Sequence, residues 1–92
     1  MNSSVFDNEK NKPVAARCDG SHVIVTLVDS RSVATPLWWY PFLSGLTLAQ
    51  LNQIELMDDG IWWEAADEGI SVKSMLLGLK MPNAIAPQIA AE

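Results

Sequence analysis

Positive charge is scarce in this sequence. Six Lys and Arg stand against eleven Asp and Glu, a net charge of -5. A nucleic-acid backbone is repelled by that balance, so direct DNA or RNA binding is not expected. Charged residues of either sign make up only 18% of the chain, below the roughly 25% usual for globular domains. The 49% hydrophobic share supplies a core rather than a disordered chain. Cys18 is the one cysteine and His22 the one histidine. A lone thiol excludes an internal disulfide and suits a reducing compartment. Together the two fall short of the three or four N/S ligands of a zinc site. No apolar run approaches the roughly 20 residues of a membrane-spanning helix, and the polar start of the chain has no signal-peptide core. The five glycines are scattered singly, so no loop of the phosphate-cradling kind is present. At 92 residues the chain has room for one domain. The expectation is a small, soluble, cytoplasmic domain that calls for no cofactor and no membrane.

What is present is patterned. Residues 1–13 are polar and expected to be flexible, residues 14–79 form a single domain, and residues 80–92 are an apolar tail carrying two prolines. Residues 14–18 read as a short strand, and Asp19-Gly20-Ser21 as a turn in which Gly20 supplies the positive φ of a tight hairpin. Residues 22–28 are the strongest strand, rich in β-branched side chains, with Val23, Val25 and Leu27 on one face. Asp29-Ser30-Arg31 turns into a third strand at residues 32–35, completing an antiparallel meander. Pro36 and Pro41 bracket an aromatic connector, PLWWYPFL, with room for one helical turn. Thr47 and Gln50 have capping-box spacing, and Leu46 and Leu51 that of a hydrophobic staple, so a short helix starts there. Asp58-Asp59-Gly60 then joins strands at residues 54–57 and 61–65. Ser71 caps a final helix whose buried stripe is Val72, Met75, Leu76 and Leu79, ended by Gly78 and Pro82. In the tail, Ile85 and Ile89 are spaced for one more helical turn. The fold class expected is α+β: a small antiparallel sheet (the meander plus a β-hairpin) packed with two short helices.

Few residues offer chemistry. Cys18 and His22 flank one hairpin turn and are expected close across it, the one arrangement here that suits a catalytic pair, but no nucleophile motif surrounds either. Asp58, Asp59, Glu64, Asp67 and Glu68 crowd a stretch of the chain in which no Lys or Arg occurs between Arg31 and Lys73. Oxygen ligands of this kind suit calcium or magnesium, yet the spacing of a calcium loop is missing. Asp58 and Asp59 are accounted for as turn residues. Asp67 and Glu68, just before the Ser71 cap, favour the dipole of the last helix. Four tryptophans stand in two adjacent pairs, Trp38-Trp39 and Trp62-Trp63. Neighbours on a strand face opposite ways, so Trp63 goes inward with Ile61. Trp62 goes to the other face, where it is either covered by the connector or exposed as an anchor. A domain this small does not easily hide four indoles, so at least one is expected in a contact with a second copy or a partner.

The segments DGSHVIVTLVDSRSVATPLWWYPFL, TLAQLNQIEL and DGIWWEAADEGISVKSMLLG, in that order, resemble the short bacterial family known as domain of unknown function 2442. The likeness covers about residues 14–79. It is carried most specifically by PLWWYPFL and by W-E-x-x-D-E-x-I-S-V-x-x-x-L-x-G, here Trp63 to Gly78. The resemblance implies a small α+β fold and a bacterial source, and brings no catalytic residues with it. Some relatives are fused to a C-terminal helix-turn-helix domain, and others are encoded beside a second small protein in toxin–antitoxin-like pairs. The stretch after Gly78 is too short for such a DNA-binding domain. An acidic, antitoxin-like regulator that covers a basic partner is the reading that charge and resemblance share. The expected function is therefore a non-enzymatic interaction domain, homodimeric and recognising a second protein. Its contact residues would be Trp38, Trp39, Trp62, Glu64, Asp67 and Glu68. The alternative is a small-ligand or divalent-metal domain using residues 58–68, and an enzyme built on Cys18 and His22 comes last.

Overall fold

A computed structural model of the chain describes residues 9–87. Strands β1 (Pro13–Cys18), β2 (His22–Leu27) and β3 (Ser32–Pro36) form the expected meander. In β2, Val23, Val25 and Leu27 are buried and the residues between them only half so. That alternation fixes which face of the sheet meets the core. β1 begins with a bulge at Val14: Pro13 pairs with Leu27 and Ala15 with Thr26, leaving Val14 over. The β2–β3 turn places Ser30, not a glycine, at a positive φ of 77°. Gly20 has no such φ, so the expectation that it supplies one is corrected. The β1–β2 turn is closed instead by the Asp19 side chain, which accepts from the backbone N–H of Ser21 and of His22, each at 2.7 Å.

The connector contains two 3₁₀ turns, Leu37–Trp39 and Pro41–Leu43. Helix α1 (Leu48–Leu51) follows with both bonds of its capping box in place. Its C-cap, Asn52, ties the two halves of the fold together. The Asn52 carboxamide accepts from the Cys18 N–H at 2.9 Å and donates to the Cys18 carbonyl at 3.0 Å. It thus stands in for one peptide of a neighbouring strand and closes the end of the β1 edge.

The second half differs from the expectation in one respect. Strands β4 (Ile54–Leu56) and β5 (Gly60–Trp63) form the hairpin, but a further strand, β6 (Glu68–Ser71), pairs with β5, so the unit is a second three-stranded antiparallel sheet. β5 stops at Trp63 rather than at residue 65, because Glu64 to Asp67 make the turn. The Ala66 N–H donates to the Trp63 carbonyl, and Asp67, at φ 53°, reverses the chain. Asp67 and Glu68, ahead of the Ser71 cap, are therefore residues of the β5–β6 turn and of β6. Helix α2 (Val72–Leu77) follows β6 directly, capped by Ser71, whose Oγ accepts from the Ser74 N–H at 3.0 Å. It ends at Gly78 in the left-handed conformation. Val72 and Met75 are buried as the stripe requires, but Leu79 lies past the helix end and is exposed.

Both sheets turn their apolar faces to one core of Val23, Val25, Leu27, Ile61, Ile70 and Trp63, closed by Tyr40, Leu43, Leu51, Val72 and Met75. Trp63 has no exposed surface. Its Nε1–H donates to the Leu51 carbonyl at 2.9 Å, and Phe42 meets its ring edge-on at 5.7 Å between centroids. Tyr40 Oη and Thr35 Oγ1, both buried, share a 2.8 Å hydrogen bond. Among the described residues no helix is long and apolar enough to cross a membrane.

Candidate functional site

Alternation along β5 sends Ile61 and Trp63 inward and leaves Trp62 on the outer face of the second sheet, half-buried. The register puts Glu55 of β4 and Gly69 of β6 directly beside it. Gly69 matters by having no side chain. A Cβ there would stand 2.9 Å from Cε3 of Trp62, so the indole rests on bare backbone. Next to the ring runs a shallow groove of about 220 Å³, lined also by Met57, Asp59, Gly60 and Ser71. One aromatic plane thus lies open on a sheet face with a carboxylate on the neighbouring strand and another at the groove edge. A broad apolar ring bordered by anions can hold an extended chain or a cation. The connector's rings run from Trp38 through Trp39, Tyr40 and Phe42 to Trp63 on the inner face of β5.

The other expected contact residues are dispersed. Glu64 and Asp67 are exposed in the β5–β6 turn, at the end of the same hairpin. Glu68 pairs with Trp63, so it belongs to the opposite face and lines a separate groove with Phe42, Met81 and Pro82. Trp39 is engaged within the chain: Lys80 Nζ lies 5.2 Å from its ring centroid and the Met81 N–H donates to its carbonyl at 3.0 Å. This much of the tail packs on its own domain. Ile85 is exposed, and Ile89 lies outside the described residues. Trp38 stands edge-on to Trp39 and lines an apolar groove with Leu37, Leu43, Leu46 and Leu51. Among the described residues no three His, Cys, Asp or Glu side chains converge as metal ligands would. Glu55, Met57 and Gly69 escaped sequence reasoning, because they join Trp62 only through strand register.

Cys18 and His22 do not meet. Cys18 pairs with Val23 and is buried, whereas His22 sits one register step away, on the other face. The His22 ring has a local partner instead, with Nδ1 2.8 Å from Ser21 Oγ, and that hydroxyl donates to Asp19. A serine standing between carboxylate and imidazole is a turn network, the reverse of the order a catalytic relay needs. The hydrogen bonds from the Ser21 and His22 backbone hold the Asp19 carboxyl below its ordinary range. Burial, with Asp19 adding to it, pushes the Cys18 thiol from an ordinary 9.0 up to about 11. Burial also raises the Tyr40 hydroxyl. A group whose folded pKa is raised stabilises the fold fully below its unfolded pKa and loses that contribution as pH rises through the folded one. Stability is therefore expected to decline between about pH 9 and pH 11. Urea unfolding across that range measures it. The decline should be shallower in Cys18→Ala, and equal steepness in the two proteins would contradict the assignment to the thiol.

No protein with a curated description matches the sequence. Among solved structures, the fold is similar to the crystal structure of a protein of unknown function from Rhodospirillum rubrum ATCC 11170. The two are 27% identical with a TM-score of 0.69, covering 79% of this chain and 93% of that one. A family profile described as "Protein of unknown function (DUF2442)" matches residues 13–80. That span runs from the first residue of β1 to just past α2, and it includes the connector and the Trp62 hairpin: the chain belongs to the DUF2442 family.

Proposed function

We propose that this chain is a non-enzymatic interaction domain that offers the outer face of its second sheet, centred on Trp62, to a basic protein. The observation that carries the reading is the placement of Trp62. A half-buried tryptophan lies against Gly69 on the outer face of the sheet, with Glu55 paired beside it and Asp59 at the edge of the same groove. Trp anchors dominate protein contacts when an indole is already positioned and partly desolvated, and carboxylates around it select partner charge and speed encounter. The net charge of -5 acts in the same direction over longer range. A regulatory, antitoxin-like role fits such a surface, since an acidic face can cover a basic one. The buried free thiol of Cys18 accords with work in a reducing cytoplasm.

The test is calorimetric titration with an arginine-rich peptide and a glutamate-rich peptide of equal length, at physiological ionic strength. The arginine-rich peptide is expected to bind saturably. Trp62→Ala and Glu55→Lys, each checked for native circular dichroism, should weaken it about tenfold or more. Equal affinity in wild type and Trp62→Ala would overturn the reading, because general attraction to an acidic protein does not need the indole.

A further inference from the structure

The two ladders of the second sheet fix which backbone groups of β6 point away from it. In an antiparallel pair, residues that exchange hydrogen bonds alternate with residues that do not. The Val72 N–H donates to the Asp59 carbonyl at 2.9 Å, in the same register that pairs Ile61 with Ile70 and Trp62 with Gly69. Ile61 and Ile70 therefore exchange bonds, and Trp62 and Gly69 do not. The other ladder agrees. The Met57 N–H donates to the Gly60 carbonyl at 2.8 Å, so Trp62 turns its own N–H and carbonyl to Glu55. The N–H and carbonyl of Gly69 are left pointing to the outer edge of β6, where the sheet has no further strand. Gly69 is half-buried there, and Glu68 and Ser71 are exposed. A strand edge of this kind is a template for an added strand.

We propose that the basic partner docks as an extended segment paired with the edge of β6, with an arginine opposite Gly69 lying across the Trp62 ring toward Glu55. This rests on the reading of Trp62 as the docking surface and adds how the partner is held. In either strand direction the residue opposite Gly69 shares its face, which is also the face of Trp62 and Glu55. Trp62 lies two strand spacings from that residue, roughly 10 Å. Gly69 puts no side chain between them, and the indole reaches back to it. A long arginine side chain crosses the gap and stacks its guanidinium on the ring, with the Glu55 carboxylate beyond. Charge selects the occupant. Residues 54–71, which hold the whole sheet and its turns, contain six carboxylates and no Lys, Arg or His. The bordering cations are Lys12, 3.9 Å from Asp58 in the β4–β5 turn, and Lys73 on α2, so the sheet stays negative. A second copy is disfavoured as the added strand, because two acidic sheets would meet; a basic chain is drawn in.

The experiment titrates the full chain with an alternating arginine–threonine peptide, unmodified, N-methylated at every arginine, or N-methylated at every threonine. An edge-paired strand turns alternate amides to the sheet and the others to water. One methylated form is therefore expected to bind about tenfold or more weakly than the other. With the unmodified peptide bound, hydrogen exchange of the Gly69 amide should slow about tenfold or more, because that N–H gains a partner. Equal affinity of the two methylated forms, or a Gly69 exchange rate that the peptide leaves unchanged, would overturn the inference. So would a Gly69 amide already protected in a free species of twice the 10.1 kDa chain mass, which would give the edge to a second copy. Trp62→Ala keeps the two readings apart. Binding that needs the indole but ignores methyl position removes the added strand and leaves the docking surface standing, whereas no saturable binding removes both.

Discussion

Replacing Trp63 with alanine is expected to lower the stability of the domain by about 3–5 kcal/mol, a large part of the 5–15 kcal/mol typical of a small domain. The side chain is wholly buried where the two sheets and the connector meet, so nothing nearby can swing in to fill the void. Three separate losses coincide. The apolar area of an indole goes, the edge contact with Phe42 goes, and the Leu51 carbonyl is left without its donor. A buried acceptor without a partner costs about 1–3 kcal/mol by itself. Trp63→Phe separates the terms in part, since it keeps an aromatic ring in the core while removing the N–H and the smaller ring of the indole. Urea unfolding should place Trp63→Phe between wild type and Trp63→Ala. A Trp63→Ala loss below about 1 kcal/mol would be that of a surface site and would contradict the packing described.

Gly60→Ala is expected to be the most damaging single-methyl change in the molecule. Gly60 is buried in β5 opposite Ser71, and a Cβ there would run into the Ile70 carbonyl oxygen, with the Ser71 Cα at 3.0 Å. Both obstacles are backbone, so relief requires β5 and β6 to move apart. Overpacking of this kind costs about 1–3 kcal/mol and more where the backbone must yield. The prediction is sharp because the Asp-Gly signal suggests another role for this glycine. If Gly60 were needed for a positive φ, substitution by D-alanine would be tolerated. Its φ is not positive, which disfavours a D-residue, and steric room on the side of an L-Cβ is what it supplies, so both alanine enantiomers are expected to destabilise. Thermal melts of the synthetic 92-residue chains decide it. An L-alanine protein as stable as wild type would contradict the close approach of β6, and a fully stable D-alanine protein would contradict the backbone conformation of Gly60.

The meander, both helix caps and the inward turn of Trp63 are legible in the sequence because each rests on local physics. β2 alternates, Thr47 and Gln50 are spaced for reciprocal bonds, and Ser71 has a free N–H three residues on. β6 is illegible for equally physical reasons. Only Ile70 in it has strand character, Gly69 weakens any strand pattern, and the Glu64-Ala65-Ala66 stretch before it favours helix. What recruits the segment is tertiary: pairing with β5 buries Ile70 beside Ile61. The missed strand also displaced the site. Asp67 and Glu68 look like one acidic cluster with Glu64 when the chain is read as a line, but the β5–β6 pairing sends Glu68 to the Phe42 side, while the β4–β5 pairing puts Glu55 beside Trp62. The alternation that identifies Trp62 as outward-facing was readable; its neighbours were not.

Backbone amide NMR during titration with the arginine-rich peptide tests the central claim most directly. Shifts are expected to concentrate at Glu55, Asp59, Trp62 and Gly69, with the amides of residues 46–51 unmoved. Shifts centred on the Leu46–Leu51 side, or spread evenly over the acidic residues without Trp62 and Gly69, would contradict a docking surface on the outer face of the second sheet.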